Sequence, residues 1–188
     1  VNAIMRRLSR EGSKLIENHD AEHLNTPEWL WRSWTNAYGK GACRRIALAH
    51  LSEPPLDITA KENAETWATS LGATILPTGT LRLTKTTNVK QLVGFDEGAW
   101  WVQDAAATLP VALLGNVEGK YIIDLCAAPG GKTAQLVSRG AIVSSVERSP
   151  KRLKRFEENL ARLSMTAEAF CSDAAQWAPN KKADAVLL

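Results

Sequence analysis

From Lys120 onward the chain alternates strand, small-residue loop and helix, and this alternation constrains its fold more than any other feature. Tyr121–Leu125 is a near-continuous apolar run, the pattern of a strand buried on both faces. It is followed by Cys126-Ala127-Ala128-Pro129-Gly130-Gly131-Lys132-Thr133 and a short helix to about Ser138. Ala141–Val146 reads as a second strand, ending in Glu147. Ser149-Pro150 then opens a helix whose Leu153, Phe156, Leu160 and Leu163 form one apolar stripe. Glu168–Cys171 is a third strand running to Asp173, and the apolar run Ala183–Leu188 suits a fourth, buried one. Strand, loop and helix repeated in this way predict an α/β fold with a parallel, doubly wound sheet.

The upstream half reads differently. Val1, Ile4, Met5 and Leu8 recur at helical spacing. Thr26-Pro27 has the form of an N-cap followed by a first-turn proline, and Gly39 can close that helix, with Leu30, Trp34 and Tyr38 as its apolar stripe. A second helix, Ala42 to Leu51, is stopped by Pro54-Pro55. A small mixed unit follows, with strands near Leu56–Ile58, Thr74–Leu76 and Leu81–Thr84 around a helix from Glu62 to Leu71. Trp100–Gln103 is expected to be extended, and Asp104 can cap an alanine-rich helix that ends at Gly115. The expected organisation is a helical linker region over 1–52, a small α+β unit over 53–94 and, over 95–188, the first half of a Rossmann-like sheet. A chain that opens inside a helix and stops on an apolar strand is expected to be a piece of a longer one.

Composition supports a globular domain: 45% of the 188 residues are hydrophobic and 23% charged. No apolar run approaches the roughly 20 residues that span a bilayer, so no membrane partner is expected. Three cysteines, Cys43, Cys126 and Cys171, without a CxxC pair argue against a disulfide framework or a zinc site, and a reducing, cytoplasmic location is expected. Cys43 and Cys171 are expected to be structural, Cys171 as a small buried apolar residue. The net charge is only +3, but basic residues cluster at Arg6, Arg7 and Arg10 and from Arg148 to Arg155. Such clusters are either solvated helix faces or surfaces that track a phosphate backbone.

The loop after the first parallel strand carries the chemistry. In such sheets ligands sit beyond the carboxyl ends of the strands, and small residues there let a ligand approach the backbone. The first glycine that a P-loop requires is missing, and only the adjacent Gly130 and Gly131 are present where GxGxxG would be needed. A pyrophosphate cradle is therefore disfavoured. Glu147, 16 residues beyond Gly131, stands where an acid can bind the two hydroxyls of a ribose. Asp173 stands where a carboxylate can accept from an adenine amino group. Each acid alone can equally be a helix cap or a surface charge. Together, a ribose and an adenine without a pyrophosphate point to S-adenosylmethionine rather than NAD.

Two segments carry a resemblance: Val102-Gln103-Asp104-Ala105-Ala106-Ala107, and Ile123-Asp124-Leu125-Cys126-Ala127-Ala128-Pro129-Gly130-Gly131-Lys132-Thr133. They closely resemble the Sun-like RNA cytosine-5 methyltransferases of the Nol/Nop/Sun family, nearest to its bacterial ribosomal-RNA branch. Val1-Asn2-Ala3-Ile4-Met5-Arg6-Arg7 resembles the last helix of the antitermination-factor-like domain of that branch. Pro27-Glu28-Trp29-Leu30, with Trp34 and Tyr38-Gly39, resembles its connecting region. The resemblance implies methyl transfer from S-adenosylmethionine to C5 of a cytosine in RNA. By the family pattern Cys126, Ala127, Ala128, Pro129, Gly130, Gly131 and Lys132 wrap the methionine part of the cofactor, Glu147 holds the ribose and Asp173 lies by the adenine. Lys132 is also implied near the target base, in support of catalysis.

C5 of cytosine is a poor nucleophile until a thiolate adds at C6, so the reaction requires a cysteine. The family pattern places that cysteine beyond residue 188, and none of Cys43, Cys126 and Cys171 is assigned the role. The stretch Pro54-Pro55-Leu56-Asp57-Ile58-Thr59 lacks the Arg-x-Asn that relatives often carry there. Trp29, Trp31 and Trp34 either pack internally or stack on bases, and Gln103 and Asp104 either shape the cofactor pocket or serve the fold, Asp104 as an N-cap. Two alternative readings are a nicotinamide-dependent oxidoreductase and an RNA-binding module with a vestigial cofactor site.

Overall fold

The structure, a computed structural model, describes residues 1–16, 19–84 and 88–188. It divides into two compact units, Val1–Pro54 and Pro55–Leu188. The first holds α1 (Asn2–Ile16), α2 (Ala21–Leu24) and α3 (Glu28–Leu51). Two helices were expected in place of α3, divided after Gly39; the structure joins them across a kink at Gly39, whose φ of 79° only glycine adopts readily. Thr26 does not cap α3, because its hydroxyl donates to the Glu22 carbonyl at 2.7 Å. Cys43 and Ala47 are fully buried, as a structural cysteine requires. Of the expected stripe, Leu30 and Trp34 are half-buried and Tyr38 is exposed. The four-residue α2, about 6 Å long, is too short to cover a stripe that spans more than two turns. Val1, and Ile4, Met5 and Leu8 of α1, are all exposed.

The second unit contains two four-stranded sheets. The first is antiparallel, with β1 (Leu56–Ala60), β2 (Ala73–Ile75), β3 (Leu81–Leu83) and β4 (Trp100–Val102) in the order β2-β3-β1-β4. Helix α4 (Ala64–Leu71) covers it, and Ile58, Leu81, Leu83, Ala68 and Trp100 form its core. Strand β4 pairs Val102 with Ile58, so this sheet draws its fourth strand from beyond residue 94 and the expected boundary there runs through one sheet. Long-range strand pairing leaves no local mark in a sequence, which is why that boundary was misplaced.

Asp57 locks this sheet to the element that follows. It is buried, and its two carboxylate oxygens accept from Arg82 at 2.8 Å each. One of them also accepts the Ala105 N–H at 3.1 Å, at the start of α5 (Ala105–Leu113). The Arg82 guanidinium holds the Asp57 carboxyl below the usual carboxylate range.

The second sheet is parallel, with β5 (Tyr121–Asp124), β6 (Ile142–Glu147), β7 (Glu168–Cys171) and β8 (Ala185–Leu187) in the order β7-β6-β5-β8. Helix α6 (Gly131–Ser138) connects β5 to β6, and α7 (Pro150–Arg162) connects β6 to β7. Both crossovers step the same way across the sheet, so right-handed connections put α6 and α7 on one face. The packing agrees: Val111 of α5 and Leu136 of α6 pack on Ile122 and Val143, while Phe156 and Leu160 of α7 pack on Ala127, Ala128 and Ala169. The stripe predicted for α7 is buried throughout, Leu163 included.

Two expectations about burial fail at the sheet's edges. Cys171 is exposed, because β7 is hydrogen-bonded to β6 alone among the described residues. In the terminal strand Leu187 is buried but Val186 and Leu188 are exposed, because β8 pairs only with β5 among the described residues.

The Asp57–Arg82 pair yields a prediction. A depressed carboxyl contributes stability above its unfolded value, near pH 3.8, and loses it as pH falls through the lower folded value. Asp57→Asn is expected to cost about 2 kcal/mol at pH 7 and to flatten the acid limb of the stability curve. Urea unfolding between pH 7 and pH 2.5 measures both.

Candidate functional site

Because β5, β6 and β7 are parallel and adjacent, their carboxyl ends open on one side of the sheet. A cleft of about 290 Å³ lies there, lined by Leu125, Cys126, Glu147, Arg148, Arg152, Ser172, Asp173 and Ala174. The structure thus brings together Cys126, Glu147 and Asp173 of the expected site. It places the other expected residues elsewhere. Ala127 and Ala128 are buried against α7. Pro129, Gly130 and Gly131 line a separate pocket of about 180 Å³ with Trp101 and Arg162. Lys132 is half-buried in the first turn of α6 and lines neither.

Glu147, the last residue of β6, is buried, yet its carboxylate faces the cleft. One oxygen accepts the Ser149 N–H at 2.9 Å and the other lies 3.3 Å from a guanidinium nitrogen of Arg152. Asp173 lies two residues past β7, and one of its oxygens accepts the Ala175 N–H at 2.9 Å. Leu125 and Ala174 supply apolar surface between these acids. Two carboxylates with apolar flanks suit a ligand that offers hydroxyl and amino donors and a flat apolar body.

The loop that forms one wall is tied at both ends and along its length. Asp124, buried at the end of β5, accepts the Thr133 hydroxyl at 2.8 Å and the Cys126 N–H. Burial pushes its carboxyl above the usual range. Thr133 also lies 3.2 Å from the Ser145 hydroxyl. Further along, Arg152 donates to the Ala128 carbonyl at 2.7 Å and Asn159 to the Pro129 carbonyl at 2.8 Å. These residues are seven apart, two turns along one side of α7. Gly130 has a φ of 108°, and a Cβ there would come within 3.2 Å of the Phe156 ring. The sequence reading missed Arg152 and Asn159. The available signal was Arg152 three residues after the Ser149 N-cap, but the surrounding cations present it as one charge in a basic cluster.

Gln103 and Asp104 do not reach the cleft. Gln103 is buried and accepts from the Trp101 indole N–H at 2.8 Å and the Thr59 hydroxyl at 3.1 Å, while donating to Gln135 at 2.9 Å. It ties the antiparallel sheet to α6. Asp104 caps α5 by accepting from the Ala106 and Ala107 amides. Among the described residues no group of three or more His, Cys, Asp or Glu side chains stands ready to hold a metal.

Residues 111–188, which contain this site, match the family model described as 16S rRNA methyltransferase RsmB/F. Across its whole length the chain is 35% identical to ribosomal RNA small subunit methyltransferase B of Vibrio cholerae. The chain is thus similar to Sun-like methyltransferases. A second relative of the same description, from Pasteurella multocida, is 35% identical over 99% of the chain. The chain spans about half the length of these relatives, 47% and 45% respectively. Among solved structures it resembles NSun6 from Pyrococcus horikoshii with SFG, at a TM-score of 0.73 and 19% identity, covering 86% of this chain and 70% of that one. A methyltransferase homolog protein from the same organism aligns at a TM-score of 0.69 and 22% identity, covering 81% and 54%. These likenesses establish the Rossmann-like methyltransferase fold.

The loop contacts yield two predictions. Arg152→Met is expected to speed amide hydrogen exchange in residues 126–131 about tenfold, by removing one charged hydrogen bond, and to leave β5 and β6 protected. Asp124 has the opposite sign to Asp57: its raised carboxyl costs stability as pH rises above the ordinary carboxylate range. Asp124→Asn should therefore reduce the loss of stability between pH 4 and pH 8 in urea unfolding.

Proposed function

We propose that the cleft at the ends of β5, β6 and β7 binds S-adenosylmethionine, and that the protein methylates C5 of a cytosine in RNA, most fittingly ribosomal RNA. The observation that carries this reading is the convergence of Glu147 and Asp173 on one cleft beside the Cys126 loop, at successive strand ends. Glu147 would accept from the ribose hydroxyls, with its carboxylate already aimed by the Ser149 N–H and Arg152. Asp173 would accept from the adenine amino group across the Leu125 and Ala174 surface. The loop Cys126-Ala127-Ala128-Pro129-Gly130-Gly131-Lys132 would hold the methionine part through its backbone, since side chains of Ala127 and Ala128 are turned into the core. The names of the bacterial relatives and the SFG in the Pyrococcus NSun6 structure support the cofactor and RNA classes.

The bound cofactor supplies a sulfonium methyl, an electrophile that needs a carbon nucleophile. A cysteine thiolate would add to C6 of the cytosine and make C5 nucleophilic enough to accept a methyl group, the cofactor sulfur keeping the bonding pair as a thioether; a base would then remove the C5 proton and the thiolate would leave. Lys132, in the first turn of α6, is proposed near the base, where an ammonium stabilises negative charge that builds on the ring. The nucleophile is proposed to come from outside these 188 residues. Cys43 is buried in α3, Cys171 sits on an edge strand and Cys126 belongs to the loop expected to face the cofactor. No described helix is long and apolar enough to cross a membrane, and a cytoplasmic setting is part of the proposal. The likeness to methyltransferases favours this reading over the nicotinamide alternative.

Calorimetric titration with S-adenosylhomocysteine, with NAD as comparison, tests the cofactor reading. Binding in the micromolar range is expected, weakened at least about tenfold by Asp173→Ala or Glu147→Ala through loss of a charge-assisted hydrogen bond. Binding of NAD but not of S-adenosylhomocysteine would overturn it. Methyl transfer to RNA by the 188-residue chain alone would overturn the placement of the nucleophile.

A further inference from the structure

The helical unit contains a second concavity, far from any role in the reading above. It lies between α2 and the first half of α3 and has a volume of about 350 Å³. Its walls include Trp31, Arg32, Thr35, Asn36, Lys40 and Arg44. The site is well ordered by ion pairs. Arg44 donates to both oxygens of Asp20, at 3.2 and 2.5 Å, and its guanidinium lies 5.8 Å from the Trp31 ring centroid. Glu28 accepts from Arg32 at 2.9 Å and pairs with His23 at 3.1 Å, and the His23 ring rests 4.5 Å from Trp31. The two carboxylates near the cleft are thus already matched to cations, and Lys40 is left as unmatched positive charge among the described residues.

We infer that this cleft binds one nucleotide of single-stranded RNA, with the phosphate at Lys40 and Arg44, a hydrogen bond to Asn36, and the base against Trp31. The inference rests on the proposed RNA substrate. Cations, an amide and an aromatic ring in a concavity of one-nucleotide size are the groups that hold an unstacked nucleotide. A duplex, read along its outer surface, does not enter such a cleft. The site would hold RNA apart from the cofactor cleft, through residues that lie wholly in the helical unit.

Fluorescence anisotropy of the 188-residue chain with a labelled single-stranded oligoribonucleotide tests this, beside an S-adenosylhomocysteine titration of the same samples. Lys40→Glu is expected to weaken RNA binding about tenfold and to lower the salt slope by about one. Asn36→Ala is expected to weaken it about fivefold through loss of one hydrogen bond, with the Tm unchanged. A purely structural asparagine would lower the Tm without the loss of affinity. Neither variant should alter S-adenosylhomocysteine binding. RNA binding that neither substitution changes overturns the cleft and leaves the RNA reading standing. No RNA binding alongside intact S-adenosylhomocysteine binding overturns the cleft and the RNA substrate but not the cofactor. RNA binding lost in both variants, in a chain that does not bind S-adenosylhomocysteine, supports the cleft and removes the cofactor reading.

Discussion

Two backbone carbonyls decide the shape of the cofactor cleft. Ala128 and Pro129 sit in a loop of small residues, and their carbonyls are taken by Arg152 and Asn159 from one side of α7. The loop is further held at its ends by Asp124 and Thr133 and by the packing of Ala127 and Ala128 against α7. Gly130 comes so near the Phe156 ring, at a positive φ, that a side chain there would be strained. Arg152 reaches Glu147 with its other nitrogen, so one side chain sets both the loop and the acid at the next strand end. The cleft is organised before any ligand arrives.

The same logic of a few buried polar groups joining apolar layers runs through the rest of the second unit. Asp57 ties the antiparallel sheet to α5, and Gln103 ties it to α6. Arg162 extends from the end of α7 to the Phe95 and Trp100 carbonyls and lies 4.2 Å over the Phe95 ring. Burial lowers the proton affinity of this guanidinium, yet it stays charged because an arginine starts so far above neutral pH. Lys61 adds a contact to the Leu163 carbonyl. At Gly98 a Cβ would strike the Arg162 carbonyl, so the antiparallel sheet's connecting loop and α7 meet backbone to backbone. The two sheets of this unit therefore hold a defined relation to the loop that lies between them.

Several of these features were legible in the residues, and for identifiable reasons. The α7 stripe of Leu153, Phe156, Leu160 and Leu163 announces a helix and its buried face, because both follow from a local period. Asp104 and Ser149 announce helix starts, because a cap bonds to amides two or three residues away. The acids Glu147 and Asp173 could be placed at strand ends because parallel strands bring their carboxyl ends together. Arg152, Asn159 and Gln103 were not legible, since each acts on a partner about 24 to 32 residues away that no periodicity connects to it. Cys171 was misjudged because burial of a strand residue depends on its neighbours on both sides, and β7 has one.

Local chemistry in the chain therefore marks its parallel sheet and the positions of the loop and its two acids, because propensity, capping and period are short-range effects. Which of those residues actually face one another is a matter of packing. The fold selects Cys126, Glu147 and Asp173 for the cleft, turns Ala127 and Ala128 into the core, and recruits Trp100–Val102 into a sheet with Leu56–Ala60. It also gathers Trp31, Asn36, Lys40 and Arg44 around one concavity of the helical unit. Those outcomes depend on contacts between residues distant in sequence, or across the turn between two helices, and they exist only once the chain has closed.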